Sequence, residues 1–230
     1  MSTRLSVRAA ARQNLRLWLM MVLTFVTGLV DAVGYLGLDR IFTGNMTGNI
    51  VILGMGLAGA DALPVVGPLV ALGAYVVGAA VAGRLLRRHR SAWEPIVTAI
   101  FAVSAGLLTA VATVLVTCQL AGTSAAGIAI AATIAAVMGA QAASARALAV
   151  ADMTTVVVTS TITAYASETL FAPGLAWLTH RRLWAIVAIF SGALAGALMM
   201  KLHICVPVYL AAVFTAAVAF LGHLTWDSAP

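Results

Sequence analysis

Long apolar runs alternate with short polar or basic stretches along this chain of 230 residues. Six of the runs are long enough to cross a bilayer, because a transmembrane helix needs about 20 predominantly apolar residues. These runs are Leu17–Leu38, Leu63–Leu86, Pro95–Cys118, Ser124–Arg146, Leu183–His203 and Cys205–Leu224. Two further stretches, Phe42–Ala60 and Ala151–Leu170, are also long enough, but they are rich in Thr, Ser, Asn and Gly. The pattern predicts an all-α polytopic membrane protein.

The basic residues decide how the two polar stretches are arranged. If both stretches enter and leave the bilayer on the same side, 11 of the 13 basic residues lie on one side. If both cross, giving eight spans, only 6 lie on that side; if the second alone crosses, giving seven spans, 10 do. Because Lys and Arg collect on the cytoplasmic side, the charges exclude eight spans. They favour six spans plus two broken or re-entrant segments, with both termini cytoplasmic, and they leave seven spans as the alternative.

Composition predicts one membrane domain and no separate soluble domain. Hydrophobic residues make up 63% of the chain and charged residues 9%, and the mean hydropathy is +1.06. A soluble core of this size cannot bury so much apolar surface. We expect a basic cytoplasmic segment at residues 1–16 and a membrane domain at residues 17–226. The net charge is +6, and the arginines lie in short clusters between the apolar runs, where they contact lipid headgroups. The expected partner is therefore the lipid bilayer and not nucleic acid.

A weak internal repeat divides the membrane domain into halves. Residues 46–51 (MTGNIV) match residues 158–163 (VTSTIT), 112 positions later. Each copy follows a long span and precedes a span with spaced glycines, which allow close helix packing in lipid and are compatible with a homodimer. Three spans per half reverse the direction of the second half, which predicts an inverted 3+3 repeat of residues 17–118 and 124–224. Chance similarity between Thr- and Val-rich segments is the alternative.

The strongest candidates for a binding site are Asp31, Asn45, Thr47 and Asn49. An ionised carboxylate within a span costs about 2.5–3.5 kcal/mol on insertion scales, so Asp31 should face protein or water. The alternative is an interfacial carboxylate that pairs with Arg40. The other three residues lie in the glycine-rich stretch FTGNMTGN. A helix broken there would expose backbone groups that bind ions or small polar solutes; the alternative is that these side chains only fix helix packing.

The second half supplies weaker candidates. Gln141, Thr155 and Thr159 are polar residues in or beside apolar stretches, and we expect them to complete the site. Arg146 and Asp152 are further polar residues, but an ion pair in a loop explains them as well as a role in the site does. Ser and Thr hydroxyls can also bond within their own helix. The sequence contains no paired metal-ligand motif and no G-x-S-x-G motif. It therefore predicts no enzyme activity, metal or cofactor.

Two pairs of stretches resemble one known family. The residues TGLVDAVGYL (27–36) with FTGNMTGN (42–49), and MGAQ (138–141) with DMTTVVVT (152–159), resemble the YoaK-type family of bacterial membrane proteins. The resemblance covers nearly the whole chain and implies a bacterial inner-membrane protein of about six spans. It implies no activity, because the family has a domain of unknown function. The chain departs from the family pattern at Ala142, where asparagine often follows the glutamine, and at Ser160, where glycine follows the threonine.

Two hypotheses for the function follow. The first is a transporter or channel for a small polar or ionic solute, bound between the two polar segments, with Asp31 in a charge-coupling role. The second is a non-transporting membrane scaffold or lipid-binding protein, in which the polar motif holds helices together. Neither hypothesis identifies the solute.

Overall fold

The computed structural model describes residues 2–88, 93–117, 122, 124–148, 158–169 and 180–226. This part of the chain is helical, and no strand occurs in it. Its α-helices are α1 (Ser2–Gly37), α2 (Met46–Leu57), α3 (Val66–Leu85), α4 (Pro95–Thr117), α5 (Ala125–Ala147), α6 (Val158–Glu168), α7 (Arg181–Met200) and α8 (Cys205–Trp226). Two short 3-10 helices, Ala60–Ala62 and Leu86–Arg88, follow α2 and α3.

Six of the helices are long and apolar enough to cross a membrane: α1 from Leu17 onward, α3, α4, α5, α7 and α8. The six predicted spans are thereby confirmed, and their bounds agree within three residues. α1 begins at Ser2, so the basic N-terminal segment and the first span form one continuous helix. By contrast, α2 has 12 residues and is about 18 Å long, too short to cross about 30 Å of hydrocarbon.

Two clusters of buried side chains show which helix ends lie together. The first, which we call the Leu38 end, joins the end of α1 to the start of α3, the end of α4 and the starts of α5 and α8. The second, the Trp93 end, joins the early part of α1's span to the end of α3, the start of α4 and the ends of α5 and α8. The side chain of Met200 packs at the Leu38 end and that of Ala185 at the Trp93 end, so α7 runs in the same direction as α1.

Each polar segment therefore connects two helix ends at the same end of the bundle. Residues 38–65 leave α1 and enter α3 at the Leu38 end, where Ile41 lies against Gly67. α5 ends and α7 begins at the Trp93 end, where Leu148 is buried and Ala185 packs, so the segment between them starts and ends there. Within this second segment, the structure describes α6, Thr169 and His180. The two segments thus start from opposite ends of the six-helix bundle.

Glycines allow α1 and α7 to pack with their backbones in close contact. A Cβ added at Gly28 of α1 would overlap the carbonyl of Ile189 in α7. In return, a Cβ at Gly192 of α7 would overlap the carbonyl of Phe25 in α1. The contact is reciprocal, because each helix presents a glycine to the other's backbone. Larger residues at these two positions would push the helices apart.

The same reciprocal contact joins α3 and α5. A Cβ at Gly78 of α3 would overlap the carbonyl of Ala136 in α5, and a Cβ at Gly139 of α5 would overlap the carbonyl of Tyr75 in α3. α1 and α3 belong to the first half of the chain, and α7 and α5 to the second. Both glycine contacts therefore join the two halves. Beside these two pairs, α4 packs against α8, so every long helix contacts the opposite half.

Candidate functional site

The chain reverses direction directly after α1. Asp39 and Arg40 have φ angles of 61° and 56°, in the left-handed region that residues other than glycine rarely adopt. The backbone N–H of Ile41 then donates a hydrogen bond of 3.2 Å to the carbonyl of Gly34, one turn from the end of α1. The non-helical residues that follow therefore run back alongside α1 before α2 begins.

The carboxylate of Asp31 holds this returning loop. Its Oδ1 accepts hydrogen bonds from the backbone N–H groups of Thr43 at 2.9 Å, Gly44 at 2.6 Å and Asn45 at 3.3 Å. Asp31 is 8% exposed and lies about 9 Å before the end of α1 along its axis. In the described chain this carboxylate is bonded by backbone amides and not by Arg40, whose side chain is exposed.

Two asparagines fix the loop to the start of α2. The side chain of Asn49 pairs with the backbone of Phe42: Nδ2 donates to the carbonyl at 2.6 Å, and Oδ1 accepts from the N–H at 2.8 Å. Asn45 is the N-cap of α2, since its Oδ1 accepts from the N–H of Gly48 at 3.3 Å. Asn49 is 1% exposed, so its two hydrogen bonds stabilise the loop from inside.

A cavity of about 580 Å³ lies beside this loop. Four of the residues predicted from sequence line it: Asp31 from α1, Asn45 from the loop, Thr47 from α2 and Thr159 from α6. The side chains of Asn45, Thr47 and Thr159 are exposed, so their polar groups are accessible to a ligand. The structure thus brings residues from both polar segments to one cavity.

Other lining residues were not among the predicted site residues. They are Thr27, Tyr35, Phe42, Gly44, Met46, Gly48, Val51, Ile52 and Ile189. Phe42, Gly44, Met46 and Gly48 belong to the stretch FTGNMTGN that the sequence singles out. Thr27 and Tyr35 carried a signal too, because they lie four residues before and after Asp31, which places all three on one face of α1. Ile189 comes from α7, and no local pattern connects it to the site.

An aromatic pair forms part of the cavity wall. The rings of Tyr35 and Phe42 stack with centroids 5.0 Å apart and planes inclined by 29°. Gly48 leaves room for this arrangement, because a Cβ there would overlap the ring of Phe42. The wall therefore combines a carboxylate, hydroxyl and amide groups, and aromatic faces, which together can bind a small solute that has both polar and apolar parts.

Two predicted site residues that the structure describes do not line the cavity. Gln141 of α5 is 2% exposed, and its Nε2 donates to the carbonyl of Leu23, at 3.2 Å, and to the hydroxyl of Thr27, at 3.1 Å. Gln141 therefore supports the cavity wall indirectly, through its hydrogen bond to Thr27. Asn49 is occupied with the loop backbone, as described above. Thr155 lies outside the described residues.

The charge of the cavity comes from Asp31. Among the described residues that line it, Asp31 is the one with a formal charge. Its Oδ2 has no hydrogen-bond donor in the described chain, whereas Oδ1 accepts several. In the residues that the structure describes, no three His, Cys, Asp or Glu side chains come together as a metal site would require. The site is thus a single carboxylate in a polar and aromatic wall.

Comparisons with known proteins identify related sequences. A family model described as "Protein of unknown function (DUF1275)" matches residues 19–221. The UPF0700 transmembrane protein YoaK of Bacillus subtilis (strain 168) is 36% identical over 101 residues, which are 44% of this chain and 44% of that protein. The chain thus matches less than half the length of this relative. No solved structure shows a significant match. The family resemblance predicted from the sequence is confirmed: this multi-pass membrane protein belongs to the DUF1275 family.

Proposed function

We propose that this protein is a transporter or channel for a small polar or ionic solute, which binds in the cavity beside Asp31. One observation carries the proposal: side chains from both polar segments and a buried carboxylate line the same cavity within a six-helix membrane domain. Intramembrane acids and irregular backbone at membrane depth are costly, and proteins retain them mainly along solute pathways and wet cavities. A purely structural bundle does not need such a cavity.

The proposal includes two re-entrant segments within an inverted repeat. Support comes from the reciprocal glycine contacts, which match between the halves. Gly28 corresponds to Gly139 and Phe25 to Ala136, both with an offset of 111 residues. In the partner helices, Gly78 corresponds to Gly192, an offset of 114 residues. In transporters built from such repeats, the solute site lies where the two halves meet, as the cavity does here.

We further propose that the Trp93 end faces the cytoplasm of a bacterial inner membrane. The basic residues that the structure describes at the inner ends of the spans support this orientation. They are Arg84 in the last turn of α3, Arg87 and Arg88 after it, Arg146 at the end of α5, and Arg181 and Arg182 at the start of α7. Because arginine collects on the cytoplasmic side, both termini are then cytoplasmic.

Uptake into proteoliposomes tests the transport proposal. A panel of cationic, neutral and anionic small solutes is compared for wild type, Thr47→Val and Thr159→Val. These two variants remove a hydroxyl from the cavity wall without changing side-chain volume much. Thr109→Val on α4 is the matched control, because its hydroxyl bonds to the carbonyl of Ala105 within its own helix.

The expected result is uptake of at least one solute above empty liposomes, lowered in Thr47→Val and Thr159→Val and unchanged in Thr109→Val. Equal uptake by all four proteins would remove the cavity from the transport mechanism. No uptake of any solute class, with folded protein in the liposomes, would contradict the proposal itself.

Lipid binding is a second candidate, favoured by a groove of about 680 Å³ between α1 and α7. Its walls are apolar and aromatic, including Trp18, Phe25, Trp184 and Phe214, and Arg181 lies among them. An acyl chain fits such walls, and a lipid phosphate fits an arginine at the interface. Native mass spectrometry should then detect phospholipid retained by wild type and lost in Arg181→Gln. Equal retention in both proteins would contradict this function.

A further inference from the structure

The cavity favours a cationic solute, because its one formal charge in the described chain is negative. The carboxylate of Asp31 is about nine-tenths buried, at 8% exposure, and forms part of the cavity wall. Its Oδ1 is saturated by the amides of the loop, whereas Oδ2 has no donor within the described residues. An unpartnered carboxylate oxygen beside a cavity attracts a positively charged group, since burial without a partner is costly.

The start of α2 offers the opposite electrostatic preference, but most of the backbone amides there already have acceptors. A helix N-terminus normally favours an anion, through its free N–H groups and its dipole. Here the amides of Thr43, Gly44 and Asn45, just before α2, donate to Asp31. The N–H of Met46 donates to the carbonyl of Gly44 and that of Gly48 to Oδ1 of Asn45, so that of Thr47 is the one amide of this first turn without an acceptor in the described chain. The chain thus supplies its own anion at this helix N-terminus, and the carboxylate of Asp31 would repel a second anion.

The aromatic pair narrows the class of cation. The stacked rings of Tyr35 and Phe42 form part of the cavity wall, and the π faces of aromatic rings attract ammonium groups, including quaternary ones. A cavity of about 580 Å³ is far larger than a metal ion and falls in the range of small-molecule sites. A metal ion would also find a single carboxylate here, whereas Mg²⁺ and Ca²⁺ prefer several oxygen ligands.

We infer that the cavity binds a small organic cation with an ammonium group, held between Oδ2 of Asp31 and the rings of Tyr35 and Phe42. The hydroxyl of Thr47 and the amide of Asn45 supply the remaining polar contacts. This inference rests on the proposed function, because it names the solute class for the same cavity. It also applies to an ammonium lipid headgroup, which carries the same chemistry.

Ligand-dependent thermal unfolding in a maltoside detergent tests the inference, since that detergent carries no ammonium group. The cationic probes are methylammonium, tetramethylammonium and choline. The matched neutral probe is 3,3-dimethyl-1-butanol, which has the shape of choline without its charge, and acetate is the anionic probe. The expected result is a saturable rise of the melting temperature with at least one cation and none with the neutral or anionic probe.

Variants at Tyr35 connect the binding to the cavity. Tyr35→Leu removes the π face and should lower affinity for the bound cation about fivefold, whereas Tyr35→Phe keeps the ring and should bind within about twofold of wild type. Asp31→Asn should abolish binding. If Asp31→Asn does not fold, the comparison of Tyr35→Leu with Tyr35→Phe decides.

Several results would overturn the inference: no stabilisation by any of the three cations, equal stabilisation by choline and its neutral isostere, unchanged cation binding in folded Asp31→Asn, or equal affinity in Tyr35→Leu and Tyr35→Phe. Uptake of a neutral or anionic solute that depends on Thr47 would also overturn it while leaving the proposed transport intact. Cation binding without uptake of any solute would leave the inference and contradict transport. Competition by phosphatidylethanolamine added to the micelles would identify a lipid headgroup as the source of the ammonium.

Discussion

The two halves of the molecule share their helix packing but differ in their chemistry. Gly28 of α1 and Gly139 of α5 make matching backbone contacts, and the same offset of 111 residues places Ala142 where α1 has Asp31. In the first half, a carboxylate binds three backbone amides of the polar segment. In the second half, a methyl group occupies the equivalent position. The comparison teaches that this packing does not require a buried charge, so Asp31 serves a role specific to the first half.

Asp31→Ala is the change with the largest expected effect, and it breaks the difference between the halves by giving both an alanine. Three loop amides would lose their acceptor, and we expect the free energy of unfolding to fall by about 3 kcal/mol. Asp31→Asn keeps an oxygen acceptor and should lose about 1 kcal/mol. Thermal unfolding in detergent measures both. If the alanine variant is as stable as the asparagine variant, the loop does not depend on this oxygen.

Gly78→Ala and Gly192→Ala test the shared packing. Each adds a Cβ against a backbone carbonyl of the other half, so each should lower the free energy of unfolding by about 1–3 kcal/mol. Gly73→Ala is the control on the same helix as Gly78, because no atom lies within 4 Å of its added Cβ. Thermal unfolding should rank Gly73→Ala well above the other two. A clear loss in one half alone would contradict their equivalence.

Gln141→Leu tests what α5, a helix of the second half, contributes to the site. The substitution removes the two hydrogen bonds to Leu23 and Thr27, but it also removes Oε1, a buried acceptor without a partner in the described chain. Because these effects oppose each other, stability should stay within about 1 kcal/mol of wild type. Uptake should fall less than in Thr47→Val. Complete loss of uptake with unchanged stability would show that the second half also contributes essential chemistry.

Arg40→Gly should have the smallest effect, and it should be stabilising. Arg40 has a left-handed backbone, which glycine adopts without the steric cost that other residues pay. The gain should be at most about 1 kcal/mol, visible as a small rise of the melting temperature. Arg87→Gly, at an exposed position after α3, is the control and should not be stabilising. Gly67→Ala cannot serve as a control, since its Cβ would overlap Ile41. A loss of stability in Arg40→Gly would show that the side chain matters more than the turn.

The six spans could be predicted from sequence because each consists of consecutive apolar residues. The basic residues also favoured polar segments that return to the side they left. This stays a prediction, although the ends of α1 and α3 lie together, as do the end of α5 and the start of α7. Which residues share a cavity was harder to predict. Asn45 and Asn49 are similar in sequence, yet Asn45 lines the cavity and Asn49 bonds the backbone of Phe42. That distinction depends on how the loop folds back, which local sequence does not encode.

Contacts between distant segments account for the other differences. Gln141 was predicted as a ligand because it is polar within an apolar span, but its amide bonds α1 at Leu23 and Thr27, more than 100 residues away in the chain. Ile189 reaches the cavity because glycines bring α7 against α1. Neither contact follows from periodicity. Tyr35 and Thr27 could have been found, since they share a helical face with Asp31.

The attachment of the loop to Asp31 also has a consequence for insertion of the nascent chain. A carboxylate within the first span opposes its transfer into lipid by about 2.5–3.5 kcal/mol on insertion scales. The amides that stabilise this carboxylate follow 12 to 14 residues later in the chain, so they emerge from the ribosome soon after it. The loop can therefore fold onto α1 before the later spans are synthesised. The first span and its polar segment would then enter the membrane as one unit, against which α7 and α8 pack later.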